Sequence, residues 1–327
     1  MFIRQIQMLE FGTARAEPGE VDTGVLHAGE TRDGSEFGLP VAVLNGAMEG
    51  DTLYVQAGSD GDELNGVGVV REVVRNLEPG EISGNILFVG ILNYHGFQVA
   101  EHRNPVDSNK LNRTFSGDPD GSSSGRLAHL VYEKGVENAD IGLDLHQGST
   151  SRMIDEVRVR CGRGHRLHKE CLELARAFGM EYILDQKGPE GQLARSAPDG
   201  GIPMVDPELG GAVGWDSKSI NKGVRGVMNV LSRYGFLEEE NPTPSEQYRA
   251  KGFDVVYANR GGLLDLSADL YDRVEEGDEL FDVTDVFGEE KETVEATKDG
   301  VVWRTRRLPM VATGEYVMSV ATGVEKL

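Results

Sequence analysis

Cysteine is nearly absent: only Cys161 and Cys171 occur in 327 residues. So sparse a pair cannot build a disulfide scaffold, and it suits a reducing cytosol. Long hydrophobic runs are missing too. None reaches the roughly 18 residues that a membrane-spanning helix needs. The opening Met1-Phe2-Ile3-Arg4-Gln5 lacks the apolar core and cleavage site of a signal peptide. These absences give a cytoplasmic expectation. Lysine is scarce, ten residues against 23 arginines, while acidic residues number 55 and the formal net charge is −22. A chain this acidic repels nucleic-acid phosphates and anionic lipid, so neither nucleic acid nor membrane is an expected partner. Many carboxylates with few lysines also suit a halophilic protein, since high salt screens the self-repulsion. Oligomeric state stays open, with a homo-oligomer possible and salt-dependent if it forms.

What is present supports a folded chain. Hydrophobic residues make up 39% and charged residues 27%, which permits a packed core and excludes wholesale disorder. Residues 1–45 read as leading strands. Further strands are expected at Leu53–Ala57, Ile86–Leu92, Ile141–Leu145, 181–184 and 203–207. Helices are expected at Leu64–Leu77, Arg126–Val136, His165–Phe178 and Lys222–Tyr234, and a long polar loop at 93–122. Strands alternating with helices predict an α/β layer with a largely parallel sheet. The stretch Glu238-Glu239-Glu240-Asn241-Pro242-Thr243-Pro244 reads as a linker. After it come short strands only, at 253–259, 262–266, 279–284, 292–296, 300–305 and 316–320. The expected domains are therefore 1–240, catalytic, and 245–327, a small β domain.

In an open α/β sheet, ligands gather where strands end at their carboxyl edges. Three polar clusters follow predicted strands here. The first runs from Ala57 to Gly66 and contains Asp60 and Glu63, three apart at a strand–helix junction. The second holds Asn93-Tyr94-His95-Gly96-Phe97, Arg103 and Leu111-Asn112-Arg113. The third is Leu143-Asp144-Leu145-His146-Gln147-Gly148. Asp60, Glu63 and His146 make an oxygen/nitrogen set of the size that a catalytic zinc uses beside one open position. Alone, each has a plainer reading. The two acids suit a helix N-terminus, and His146 suits a satisfied interior histidine.

The clusters, taken in order, resemble the succinylglutamate desuccinylase/aspartoacylase family, which has a zinc-carboxypeptidase-like fold. The family's Gly-x-His-Gly-x-Glu turn corresponds to Gly58-Ser59-Asp60-Gly61-Asp62-Glu63. Its Asn-Pro-x-Gly-Phe corresponds to Asn93–Phe97, and its Asp-Leu-Asn-Arg-x-Phe-Pro-Gly to Lys110-Leu111-Asn112-Arg113-Thr114-Phe115-Ser116-Gly117. Asp144-Leu145-His146 matches intact, and its catalytic Glu matches Glu208 in Pro207-Glu208-Leu209-Gly210-Gly211. The resemblance implies one metal ion at Asp60, Glu63 and His146, with Glu208 as general base for a metal-activated water. It further implies Asn112 and Arg113 as a clamp for a substrate carboxylate and Arg195 as another substrate contact. Arg103 is the candidate cation for the developing oxyanion by its position. The expected reaction is hydrolysis of a small N-acyl amino acid or related amide, with an ester as an alternative substrate.

Two departures stand out. The family's first ligand, His, is Asp60 here, and the Asp that opens the Asn-Arg motif is Lys110. A second carboxylate makes the ion a poorer Lewis acid and turns preference from Zn²⁺ toward Mn²⁺ or another hard divalent ion. A binding or scaffold protein that lost its chemistry through Asp60 is the rival reading. A second metal set, Cys161, His165, His168 and Cys171, has tempting spacing. If it were helical throughout, its cysteines would stand about 15 Å apart. The two histidines are therefore assigned to a solvated helix face and Cys171 to packing. The C-terminal region resembles a lipoyl/biotinyl-like barrel-sandwich. Its turn at Lys298 lacks the Met-Lys-Met tip, so no covalent biotin or lipoate is expected.

Overall fold

Ile86, Leu87, Phe88 and Val89 are consecutive and all buried, as a strand covered on both faces requires. They lie in strand Ser83–Val89 of a ten-stranded sheet. A computed structural model of the chain describes residues 7–211, 214–238 and 246–327. The start read for a signal peptide, and all of the expected linker after Glu238, lie outside the described residues.

From edge to edge the sheet runs Glu325–Lys326, Tyr248–Ala250, Tyr182–Asp185, Glu156–Val159, Met204–Gly211, Ile141–Gly148, Met48–Ala57, Ser83–Val89, Glu36–Asn45 and Glu20–Glu30. The three pairings from Met204–Gly211 through Ser83–Val89 are parallel. The strands next to this block on either side run antiparallel to it, and pairing is parallel again from Glu156–Val159 through Tyr182–Asp185 to Tyr248–Ala250, so the sheet is mixed. The parallel block matters for function. Strands Met48–Ala57, Ile141–Gly148 and Met204–Gly211 all end at the same edge, where a ligand site is expected.

Helices Asn65–Asn76, His168–Phe178 and Ser217–Arg233 cover one face. They bury Val69, Val70, Val73, Leu174, Phe178, Ile220, Val227 and Val230 against the sheet. Helix Ser123–Lys134 covers the other face with Leu127, Ala128 and Val131. Two helices begin earlier than periodicity suggests, because capping side chains set their starts. Ser122 accepts from the Gly125 N–H, and Asp216 accepts from the Lys218 N–H. The expected loop at 93–122 contains a short helix, Tyr94–Val99, and a single 3₁₀ turn, Leu111–Arg113.

Beyond residue 246 strands dominate, as expected. Gly252–Tyr257, Tyr316–Thr322, Gly300–Arg306 and Arg273–Val274 form one small sheet. Glu290–Glu295, Glu279–Thr284, Gly262–Leu266 and Met310–Val311 form another. Leu264, Leu280, Phe281, Val283, Val302, Val317 and Met318 fill the core between them. This region is fastened to the main sheet in three ways. Strands Tyr248–Ala250 and Glu325–Lys326 extend the ten-stranded sheet. Strand Ser151–Met153 leaves the α/β layer to pair with Gly300–Arg306. Trp303, fully buried, packs edge-on against Tyr182 and Phe253, with ring centroids 5.1 and 5.8 Å away.

Candidate active site

The turn after Met48–Ala57 opens with Gly58 at φ +67°, a backbone conformation that suits glycine. It then carries Asp60 and Glu63 into the interior, where both are buried. His146 comes from the end of the neighbouring parallel strand Ile141–Gly148. Its Nδ1 lies 2.9 Å from Glu63 Oε2 and 3.6 Å from Asp60 Oδ2. One strand further, Glu208 stands in register with His146. Asp60, Glu63, His146 and Glu208 therefore meet at one end of the parallel block, facing a cavity of about 550 Å³.

A relay of buried polar groups orients the imidazole. His146 Nε2 lies 3.0 Å from Asp144 Oδ2. Asp144 accepts from Gln56 Nε2 at 2.9 Å, and Gln56 accepts from the Tyr54 hydroxyl at 2.7 Å. A carboxylate behind the far nitrogen of a histidine is the usual support of a metal-ligating imidazole. The near nitrogen, Nδ1, then faces the two acids.

The donor set fits a divalent cation. Asp60 Oδ1 is buried without a hydrogen-bond partner, and such an atom is costly unless something completes it. Three carboxylates line the cavity, Asp60, Glu63 and Glu208, and all three are buried. The lining also carries five fixed cations, Lys110, Arg113, Arg158, Arg160 and Arg304, and two histidines, His102 and His146. The pKa shifts carry the same strain. Burial and the Asp60 charge push Glu63 up to about 7. Burial also works against Asp60, but His146 and Lys110 outweigh it and hold that carboxyl at about 2. On His146 burial is outweighed by Asp144, Asp206 and Asp60, which raise its pKa well above the ordinary value. One built-in cation already touches the set: Lys110 Nζ lies 3.3 Å from Asp60 Oδ2.

Glu208 is buried and ion-paired through Oε1 with Arg158. Burial raises its pKa, yet Arg158 and His146 prevail and the net shift is downward. Its second oxygen, Oε2, has no partner. Arg158 sits 2.7 Å from Glu156 as well. Asp206 is driven up to about 6 by burial, the nearby Glu208 charge adding to it.

The remaining expected residues divide. Arg113 lines the cavity from an exposed position, with Nη1 donating to the Asn112 carbonyl. Asn112 is buried with its amide fully used. Nδ2 lies 2.8 Å from His146 Nε2, and Oδ1 accepts from the Leu193 N–H at 2.9 Å. Arg103 is not brought to the cavity. It is exposed and donates to the Ser108 carbonyl at 3.1 Å. Arg195 turns away too, bonding the Gly188 carbonyl at 2.8 Å and Glu190. The rival set does not converge: His165 pairs with Asp199 and His168 with buried Asp185. Both rings are thus largely buried rather than on a solvated face, and His165 lies before the helix, which starts at His168. Cys161 does touch Cys171, because Gly162 at φ +90° turns the chain back before the helix begins.

Several cavity residues escaped the sequence reading. Arg158 and Arg160 alternate on one strand face, and their neighbour Glu156 shares the periodicity. Their charge hid the strand, which is buried through mutual pairing. His102 and Gln192 carry no motif of their own. Phe253, Trp303, Arg304 and Ser319 reach the cavity from the C-terminal region, a contact that no local pattern announces.

Comparison with known proteins gives this geometry a context. A family model described as the succinylglutamate desuccinylase/aspartoacylase catalytic domain matches residues 49–234. An N-alpha-acetyl-L-2,4-diaminobutyric acid deacetylase from Halomonas elongata is 28% identical over 335 residues, covering 96% of this chain and 95% of the relative. A crystal structure of a succinylglutamate desuccinylase from Silicibacter sp. TM1040 superposes with a TM-score of 0.83 at 24% identity, covering 98% of this chain and 100% of the other. The product-bound ectoine utilization protein EutE (DoeB) of Ruegeria pomeroyi gives 0.85 at 22% identity, over 98% and 99% of the two chains.

Proposed function

The chain belongs to the succinylglutamate desuccinylase/aspartoacylase family, and on that premise we propose that it is a metal-dependent deacylase of small N-acyl amino acids. Asp60, Glu63 and His146 would hold one Zn²⁺, or Mn²⁺ given the second carboxylate. A divalent ion there supplies Lewis acidity toward a carbonyl oxygen and makes a neighbouring water more acidic. The chain's own groups do the rest. Glu208 receives the water proton on its free Oε2 and returns it to the leaving amine. Arg158 keeps Glu208 ionised and fixed, so that the base is ready at neutral pH. Arg113 binds the substrate carboxylate, while Asn112 positions His146. The oxyanion role expected of Arg103 falls to the guanidinium groups inside the cavity. Residues 1–240 form the catalytic domain in this reading, and 245–327 a β domain that shapes the substrate mouth.

One observation carries the proposal: three metal-competent side chains and a base from three adjacent parallel strands meet at a single cavity. The Halomonas relative, named for an N-acetylated α-amino acid, supports the substrate class. A second reading has its own support. The Lys110–Asp60 pair at 3.3 Å favours a scaffold whose ammonium replaces the ion and which no longer hydrolyses. A screen of N-acyl amino acids, with matching esters, at high salt and with zinc and manganese supplied separately decides between them. The deacylase turns over at least one amide and stops on chelation. A scaffold turns over none with either metal.

A further inference from the structure

The loss of histidine at position 60 has a counterpart close by. His102, from the loop after the short helix Tyr94–Val99, also lies beside Asp60 and Glu63. His146 approaches Asp60 Oδ2 and Glu63 Oε2. His102 approaches the other oxygens, with Nε2 at 3.6 Å from Asp60 Oδ1 and Nδ1 at 3.8 Å from Glu63 Oε1. Donor atoms bound to one ion at 2.0–2.2 Å stand roughly 3.3–3.6 Å apart in a tetrahedron. One donor atom from each of Asp60, Glu63 and His102 lies within 4.8 Å of the other two.

The backbone holds this arrangement. Gly61 lies against residues 96 and 97, where an added Cβ would meet the Gly96 carbonyl carbon at 2.2 Å and the Glu101 carbonyl oxygen at 2.6 Å. Only a residue without a side chain lets the Asp60 turn approach the His102 loop so closely. Asp62 Oδ1, 3.0 Å from His102 Nδ1, then fixes the ring. The atom that His102 faces, Asp60 Oδ1, is the buried oxygen that lacks a partner.

We infer that His102 is a ligand of the ion held by Asp60 and Glu63, restoring through Nε2 the imidazole that Asp60 displaced. The inference rests on the metal reading above and adds a residue that the sequence motif does not contain. Lys110 Nζ, 2.8 Å from the same Nε2, competes with the ion for that nitrogen.

The test is binding of Co²⁺ by the full chain after chelation, followed by its visible absorption spectrum, in wild type, His102→Ala, His102→Gln and Arg103→Ala. The last is a control in the same loop, outside the cavity. The expected result is at least a tenfold loss of Co²⁺ affinity and an altered spectrum in both His102 variants, with Arg103→Ala unchanged. Wild-type affinity and spectrum in the two His102 variants would overturn the inference and leave the metal reading intact. No Co²⁺ binding by wild type would overturn the metal reading itself. Circular dichroism separates an unfolded variant from a folded one with a weakened site, and His102→Gln keeps a polar group of similar reach.

Discussion

Two neighbouring stretches of the same cavity have opposite character. In the turn after strand Met48–Ala57 and on strand Ile141–Gly148, Asp60, Glu63 and His146 gather acceptors that call for a cation. Across Glu208, on strand Glu156–Val159 and just beyond it, Arg158 and Arg160 gather donors that are paired with Glu156, Glu208 and Asp206. Glu208 lies between them, in register with His146 on one side and with Glu156 on the other. The lesson is electrostatic. Carboxylates alone would repel an acidic substrate, whereas Arg158 keeps Glu208 charged in spite of its burial. Side by side, they are what the proposed function asks of one cavity that would hold a metal and a carboxylate-bearing molecule together.

The largest expected effect comes from removing the group at the boundary. Glu208→Gln keeps the shape and loses the base, so turnover should fall by about 10²–10⁴-fold while bound metal stays the same. Steady-state kinetics with metal analysis checks both, and unchanged turnover would remove Glu208 from its role. On the arginine side, Arg113→Gln should raise KM by roughly ten- to a hundredfold with less change in kcat, as loss of a charge-assisted carboxylate contact implies. An unaltered KM would show that the substrate carboxylate binds elsewhere.

A subtler effect links the two stretches. Arg158 lowers the Glu208 pKa against the pull of burial. In the proposed mechanism the base works ionised, so activity should fall on the acid side of that pKa. Arg158→Met raises the pKa and should move the acid limb of the kcat/KM profile to higher pH. A limb that stays in place would mean that Arg158 does not govern the base. Breaking this buried pair also costs about 3–5 kcal/mol of stability, so the profile is measured at a temperature where the variant is folded.

Much of this was legible in the sequence, and the reason lies in local chemistry. The buried run Ile86–Val89, the helix periodicity of Val69, Val70 and Val73, and the polar clusters after strands are short-range signals. The hidden part is long-range. Strand Glu156–Val159 is buried through Arg158 pairing with Glu156 and Glu208, so charge masked its hydrophobic pattern. Arg103 has the right order in the chain, but its loop turns it to Ser108. His102 beside it carries no motif, and only the close approach at Gly61 brings it to Asp60. Trp303 and Arg304 reach the cavity across the fold.

The smallest expected effect concerns the surface rather than the cavity. With a net charge of −22, self-repulsion should weaken as salt rises. The thermal midpoint should therefore climb steadily from dilute buffer to molar salt. Arg158→Met, whose deficit is buried, should show the same salt slope as wild type. A flat wild-type profile would remove the argument for salt adaptation.

The central claim is that Asp60, Glu63 and His146 jointly hold a divalent cation. Its most direct test is elemental analysis of chelated, re-equilibrated and gel-filtered protein, wild type against Glu63→Gln, with zinc and with manganese. The account predicts about one ion per wild-type chain with the preferred metal and near none in the variant. Wild type free of both metals, or a variant that keeps its ion, would contradict it.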